Sequence, residues 1–306
     1  MRVLLAGATG AIGRQLVPAL TDAGHHVVAI IRDPGNRDRV KVLGGESIVA
    51  DVMNREQLLR AVDGISADAV MHQATALRGA SPRLRTDDPT NALRSIGTTH
   101  LLEAAQVVGA GRFVTQSLIT GYGYLDHGDR ELTEEDPFGQ PRGTYGDPVV
   151  EGCRSTEEQV LKADGIALRY GMFYGPHAFS DTFADLMRKH LPILPAGDSG
   201  STSWIHVADA AGATVAALER GRSGQAYNVV DDTPITWGQF AATVAAAHHT
   251  PRPKAMPRWL LRLSAPYLAC LMADTSMRVS HAKATRELGW TPSHPSIHEG
   301  LRGTEK

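Results

Sequence analysis

The chain of 306 residues has only two cysteines, Cys153 and Cys270, far apart in sequence. Two distant thiols leave no disulfide framework and point to a reducing, cytoplasmic setting. Neither has the neighbours of a metal site, and no metal is expected. An excess of one charge is also missing: 31 Lys and Arg stand against 33 Asp and Glu. That balance makes no electrostatic case for nucleic acid or an anionic membrane as partner. Long apolar runs are absent. The most apolar stretch, residues 259–273 (WLLRLSAPYLACLMA), contains Arg262 and Pro266 and is too short to span a bilayer. A helix packed on a substrate lobe is expected there rather than membrane contact. Repeats and low-complexity tracts are lacking, and a secretory leader does not fit because residue 3 already reads as strand.

What is present starts at once. Residues 3–13 read VLLAGATGAIG. Val3, Leu4 and Leu5 suit a buried strand, and a helical pattern follows the spacing G-x-x-G-x-x-G. Gly7 permits the tight turn, Gly10 leaves room for a pyrophosphate, and Gly13 lets the helix pack closely on the strand. The helix N-terminus then offers free N–H groups to phosphate. Thr9, Ala11 and Ile12 complete this candidate dinucleotide cradle.

Strands and helices alternate from there. Strands are expected at 2–7, 26–31, 47–50, 69–72, 112–116 and 166–170, with helices at 11–23, 57–62, 91–108 and 151–163. Such alternation implies right-handed crossovers and a Rossmann-type, doubly wound parallel α/β sheet. Residues 1–170 with about 203–235 would form the dinucleotide-binding domain. Residues of about 171–202 and 236–306 would form a smaller substrate-binding lobe. The stretch 123–148, rich in Gly, Pro, Asp and Glu, reads as a long loop, such as a lid.

The end of the second strand speaks to the cofactor. A carboxylate there would bind a ribose 2′-hydroxyl. Ile31 holds that place and Arg32 follows, with Arg14 directly after the third glycine. Two guanidinium groups suit a 2′-phosphate, so NADP(H) is preferred, with NAD(H) as the alternative. Arg14 and Arg32 are otherwise solvated charges, and Asp33 remains able to turn to the ribose. Asp51, followed by Val52, either accepts from an adenine amino group or caps the next helix. Gln73 and Ala74 would border the cofactor, whereas His72 fits a hydrogen-bonded core histidine.

Taken together, these motifs resemble those of the extended short-chain dehydrogenase/reductases, the NAD-dependent epimerase/dehydratase group. The resemblance rests on GATGAIG at 7–13, DV at 51–52, VMHQAT at 70–75, IGTTHLLEAA at 96–105 and RFVTQSLITGYG at 112–123. It continues in LRYGMFYGP at 168–176, WIHVADAA at 204–211, AYNVVDD at 226–232 and ATRELGWTPSHP at 284–295. It implies a nicotinamide cofactor, a small-molecule substrate and a Ser-Tyr-Lys proton relay. It also implies a homodimer through the helices at 91–108 and 151–163, faces that a monomer could equally bury.

The relay is where the chain departs. The expected serine falls on Leu118. In Y-x-x-x-K-x-x-x-E ending at Glu157, the tyrosine and lysine positions hold Val149 and Cys153. If Tyr145 is the tyrosine instead, Val149 takes the lysine's place. Met172 also replaces the family's Asn. Ser117, Tyr122 and Tyr145 are the candidate replacements, and Arg154 is a candidate cation. Without the ammonium, a tyrosine lacks the charge that depresses its pKa. Tyr174, Phe179, Trp204 and His206 are candidate pocket walls, and Gln116 a candidate donor to a substrate carbonyl. The acidic run Glu134, Glu135 and Asp136 reads as solvated, and His248-His249 as a surface turn. An NADP(H)-dependent oxidoreductase acting on a small carbonyl or alcohol is the expected function. A non-redox isomerase, cyclase or lyase and a non-catalytic redox sensor remain as alternatives.

Overall fold

The structure is a computed structural model that describes residues 1–76, 88–197 and 199–302. It opens with β1 (Arg2–Ala6), α1 (Ala11–Asp22), β2 (His26–Ile31), α2 (Arg37–Val42), β3 (Glu46–Val49), α3 (Arg55–Val62) and β4 (Ala69–His72). Then come α4 (Pro89–Ala92), a π-helical turn (Leu93–Gly97), α5 (Thr98–Val107), β5 (Arg112–Leu118), β6 (Asp126–Leu132), α6 (Asp147–Lys162), β7 (Ile166–Tyr170) and β8 (Met172–Tyr174). Next are α7 (Phe179–Arg188), β9 (Pro192–Pro195), β10 (Ser201–Thr202), β11 (Trp204–His206), α8 (Val207–Arg220), β12 (Gln225–Val229) and β13 (Ile235–Thr236). Last are α9 (Trp237–Ala247), β14 (Lys254–Met256), α10 (Arg258–Ser264), α11 (Pro266–Ala273), β15 (Ser276–Val279), α12 (Ala282–Leu288) and α13 (Ile297–Arg302).

Seven strands form one parallel sheet in the order β12-β7-β5-β4-β1-β2-β3. The alternation of side chains along β1 explains its two covered faces. Val3 and Leu5 point into a cluster with Leu16, Val17 and Leu20 of α1 and Ala210, Ala213 and Ala217 of α8. Leu4 and Ala6 join Leu58 and Val62 of α3 and Leu101 and Ala104 of α5 on the opposite face. The strand order reverses at β1, and the crevice between the ends of β1 and β4 is where such sheets bind ligands.

A third cluster gathers side chains of α6, α7, β11, α9 and α11 around aromatics. The Trp204 and Phe240 rings stack with centroids 3.9 Å apart, Trp237 and Phe183 pack edge to face against them, and Phe179 stacks on Phe240.

Four expectations need correction. The segment 123–148 is not structureless, because β6 lies within it and pairs in parallel with β15. Helix α6 begins at Asp147 rather than 151, since the Asp147 carboxylate accepts N–H bonds from Arg142, Gly143 and Thr144 and Pro148 occupies its first turn. Strand β5 runs on to Leu118. The apolar stretch 259–273 is two helices, α10 and α11, parted before Pro266. Among the described residues no helix is long and apolar enough to cross a membrane.

Candidate active site

The glycine turn leaves β1 directly against the end of β4. A Cβ at Gly7, whose φ is +102°, would lie 2.4 Å from the Gln73 carbonyl carbon, so only glycine lets the strands part this closely. A Cβ at Gly13 would lie 2.2 Å from Gly7 O, which fixes α1 onto the turn. Gly10 differs, since a Cβ there meets nothing nearer than Gly7 O at 3.4 Å. Gly10 is the N-cap of α1 and no side chain among the described residues caps that helix, which leaves the first-turn N–H groups of Ala11, Ile12 and Gly13 without a side-chain acceptor. An open glycine face above uncapped N–H groups fits a dinucleotide pyrophosphate.

On the adenosine side, Arg14 folds back so that its Nε donates to Thr9 O at 3.3 Å. Arg32 is exposed at the end of β2. The Asp33 carboxylate accepts the Gly35 N–H at 2.9 Å and so turns into its own loop. Sequence reasoning missed Arg39. It lines a cavity of about 250 Å³ with Arg14, Gln15, Leu43, Pro176 and His177. The helix carrying it is short and polar, and nothing local signals which side it presents. Asp51 does not cap α3. Asn54 does, by accepting the Gln57 N–H, while Asp51 accepts the Met53 N–H. Val52 is buried, and its carbonyl lies 2.8 Å from His100 Nδ1.

Gln73 and Ala74 follow β4 at the crevice. Gln73 Nε2 donates to the Tyr170 hydroxyl at 3.2 Å, while its Oε1 is buried without a partner among the described residues. His72 is a core histidine. Its Nε2 lies 3.1 Å from Leu93 O, and burial takes its pKa down to about 4, so it is neutral.

At the end of β5, α6 sets Val149 and Cys153 one helical turn apart and buried. The Cys153 thiol lies beside the Ser117 hydroxyl and the Leu118 backbone, and burial pushes its pKa up. Ser117 is fully buried, and neither its Oγ nor Gln116 Nε2 has a hydrogen-bond partner of ordinary geometry among the described residues. Glu157, further along α6, pairs with Arg169, which leaves Tyr145 before the helix and half exposed. Tyr122 is not a free proton donor. Its hydroxyl accepts from Arg169 at 2.9 Å and sits 2.8 Å from both Thr133 O and Asn228 Oδ1. Burial, opposed by Arg169, raises its pKa to about 12.

Several other candidates go elsewhere. Arg154 does not replace the lysine, because its guanidinium donates to Gly139 O and covers the Phe138 ring. Tyr174 and Trp204 are fully buried core residues rather than walls of a cleft. Glu134 is not merely solvated, since it accepts the Asn228 N–H at 2.7 Å. His206, Asp209 and His294 lie together, with ligand atoms within 4.8 Å of one another. Burial would raise the Asp209 pKa, but hydrogen bonds from Ser293 and His294 outweigh it and hold it below the usual carboxylate range. Those bonds occupy both Asp209 oxygens, which suits a clasp between α8 and the C-terminal segment.

Arg94 was also missed. It stands in the π-helical turn, 2 % exposed, and its carbonyl accepts from the Thr98 and Thr156 hydroxyls, both at 2.6 Å. In the sequence it is one polar residue of a long helix, and the approach of α6, distant in sequence, helps to bury it.

Comparison with known proteins agrees with this geometry. The profile of the "NAD dependent epimerase/dehydratase family" matches residues 3–230. A 3-diazoavenalumate denitrifying reductase of a Streptomyces species is 37% identical over 98% of this chain and 99% of its own. A 2-alkyl-3-oxoalkanoate reductase of Stenotrophomonas maltophilia is 27% identical over 99% of this chain and 98% of its own. Among solved structures, the UDP-glucose 4-epimerase of Thermotoga maritima superposes with a TM-score of 0.80 at 20% identity. It covers 99% of this chain and 96% of its own, and at that identity the likeness concerns the fold.

Proposed function

The chain belongs to the NAD dependent epimerase/dehydratase family, and on that premise we propose a reductase that prefers NADP(H) and takes a small organic electrophile needing no proton from a tyrosine–lysine pair. That it is an enzyme and an oxidoreductase accords with its named relatives. The observation that carries the finer reading is the pair Val149 and Cys153, buried where α6 meets the end of β5. Neither side chain supplies an ammonium or an acidic hydroxyl, and the raised pKa keeps the thiol neutral.

Gly7, Thr9, Gly10, Ala11, Ile12 and Gly13 would hold the pyrophosphate. Arg14, Arg32 and Arg39 would meet the 2′-phosphate, and the engagement of Asp33 with Gly35 favours that choice over a free ribose hydroxyl. When bound, the reduced nicotinamide supplies a hydride. A carbonyl that accepts hydride becomes an alkoxide and needs a proton at oxygen. An aryl diazonium carbon that accepts hydride breaks its C–N bond, and the bonding pair leaves with N₂. That exchange balances without any proton, so the protein has only to orient the substrate and exclude water. The name of the Streptomyces relative, a denitrifying reductase of a diazo compound, supports this reading.

A small carbonyl or alcohol is the second reading, favoured by the Ser117 hydroxyl beside Cys153 and by the oxoalkanoate reductase relative. The two separate in one assay. NADPH consumption is followed with an aryl diazonium salt and with a panel of ketones, against protein-free controls, with N₂ measured. Enzyme-dependent NADPH loss matched by N₂ supports the first reading, and turnover of ketones alone overturns it.

A further inference from the structure

Among the described residues, Arg94 is a buried cation without a counter-charge. Its Nη1 lies 3.4 Å from Asn91 Oδ1, a weak contact, and its Nε has no partner among the described residues. Burying an unpaired guanidinium is costly, and chains retain such groups where a ligand supplies the missing charge. The groups around it do not neutralise it. Burial lowers the His72 pKa to about 4 and raises those of Cys153, Tyr124 and Tyr267, so all four are uncharged near neutral pH. Glu157, one turn along α6 from Cys153, is committed to Arg169 through both its oxygens.

Its position is equally informative. The side chain passes Gly152, where a Cβ would lie 3.2 Å from Arg94 Cδ, and so runs beside the helix that carries Cys153. Tyr124 and Tyr267 stand close, with hydroxyls 3.0 Å apart and rings edge to face. Tyr267 belongs to α11 and lies within reach of the Arg94 charge, so the cation is enclosed between α6 and α11. The π-helical turn and the two threonine hydroxyls on its carbonyl hold the residue in place, and such turns concentrate at functional sites.

We propose that Arg94 is the anion-binding residue of the substrate pocket, and that the substrate is a planar organic acid whose carboxylate pairs with its guanidinium. The planar fork of Arg matches a carboxylate through two parallel bonds. Tyr124 and Tyr267 beside it suit an aromatic or conjugated body. This rests on the reductase reading of the same site, because it assigns that site's substrate.

The test uses the full chain loaded with NADP⁺ and titrated calorimetrically with cinnamate and with methyl cinnamate. The acid is expected to bind at least about tenfold tighter than the ester. Arg94→Met should bind the two alike with unchanged NADP⁺ affinity, and Arg94→Lys should keep part of the preference. Equal binding of acid and ester to the wild type overturns the proposal, as does no binding of either. So does an acid preference that survives in Arg94→Met. Weakened NADP⁺ binding in Arg94→Met with acid binding intact would assign Arg94 to the cofactor instead. If Arg94→Met does not fold, thermal stabilisation of the wild type by acid against ester reads the same preference. Failure of NADP⁺ to bind at all would sink the cofactor reading alone, and the acid–ester comparison on unloaded protein would still decide Arg94.

Discussion

Arg169 and Glu157 face each other through parallel hydrogen bonds, Nε to Oε1 at 3.0 Å and Nη2 to Oε2 at 2.8 Å, with both side chains buried. The remaining Nη1 donates to Tyr122, and the guanidinium plane lies 4.7 Å from the Phe138 centroid. One cation therefore ties β7, α6 and the segment after β5 together. Removing one partner of a buried pair leaves the other charge stranded. Glu157→Gln is expected to lose about 3–5 kcal/mol of stability in urea unfolding. A loss below about 1 kcal/mol would mean that Tyr122 and the aromatic rings alone hold Arg169.

The glycine turn makes a paired prediction. Gly13→Ala brings a methyl within 2.2 Å of Gly7 O, so both the melting temperature and NADPH binding should fall. Gly10→Ala meets only Gly7 O at 3.4 Å, so it should melt like the wild type and still bind NADPH poorly. Calorimetric titration with normal NADPH affinity in Gly10→Ala would contradict a pyrophosphate on that face.

Cofactor choice should rest on the exposed arginine. Arg32→Ser is expected to weaken NADPH binding by about 10–100-fold and to leave NADH nearly unchanged, because only the former carries the 2′-phosphate. Parallel Kd measurements decide it, and equal losses for both nucleotides would count against the assignment.

Asp231 sets a pH dependence. It is 2 % exposed, and burial, opposed by the Thr233 N–H and the nearby Tyr174 hydroxyl, raises its pKa to about 8. The unfolded carboxyl titrates near ~3.9. Between these values the folded state binds the extra proton, so this contribution is complete below the lower value and is lost as pH rises through the upper one. Asp231→Asn cannot ionise and should gain stability relative to the wild type from pH ~5 to ~9. Urea midpoints that run parallel across that range would refute the shift.

The tyrosines separate structure from chemistry. Tyr122→Phe removes a buried hydroxyl bonded to Arg169 and should cost about 1–3 kcal/mol of stability while NADPH-dependent turnover persists. Tyr145→Phe, half exposed, should change neither. Abolished turnover with normal stability in either variant would restore that tyrosine to the proton path.

The early part of the chain could be read directly because its signals are local. Glycines at three-residue spacing, a helix period beside them, and apolar runs at 26–31 and 69–72 each need only their own neighbours. Strands β2 and β4 accordingly match the expected bounds. Other features arise from partners distant in sequence. Strand β6 is mostly polar and exposed, with Asp126, Asp129, Arg130 and Glu131 in it, and it becomes a strand because β15 offers its backbone from residues 276–279. Arg94 carries no mark in its helix, and Glu134 and Tyr122 read as loop residues. Their burial comes from α6, β7 and β12 closing over them, and local periodicity does not encode which far segment will arrive. Backbone preference and side-chain pattern therefore specified the nucleotide half, while the charges and hydroxyls that end up buried at the end of β5 were selected by long-range packing.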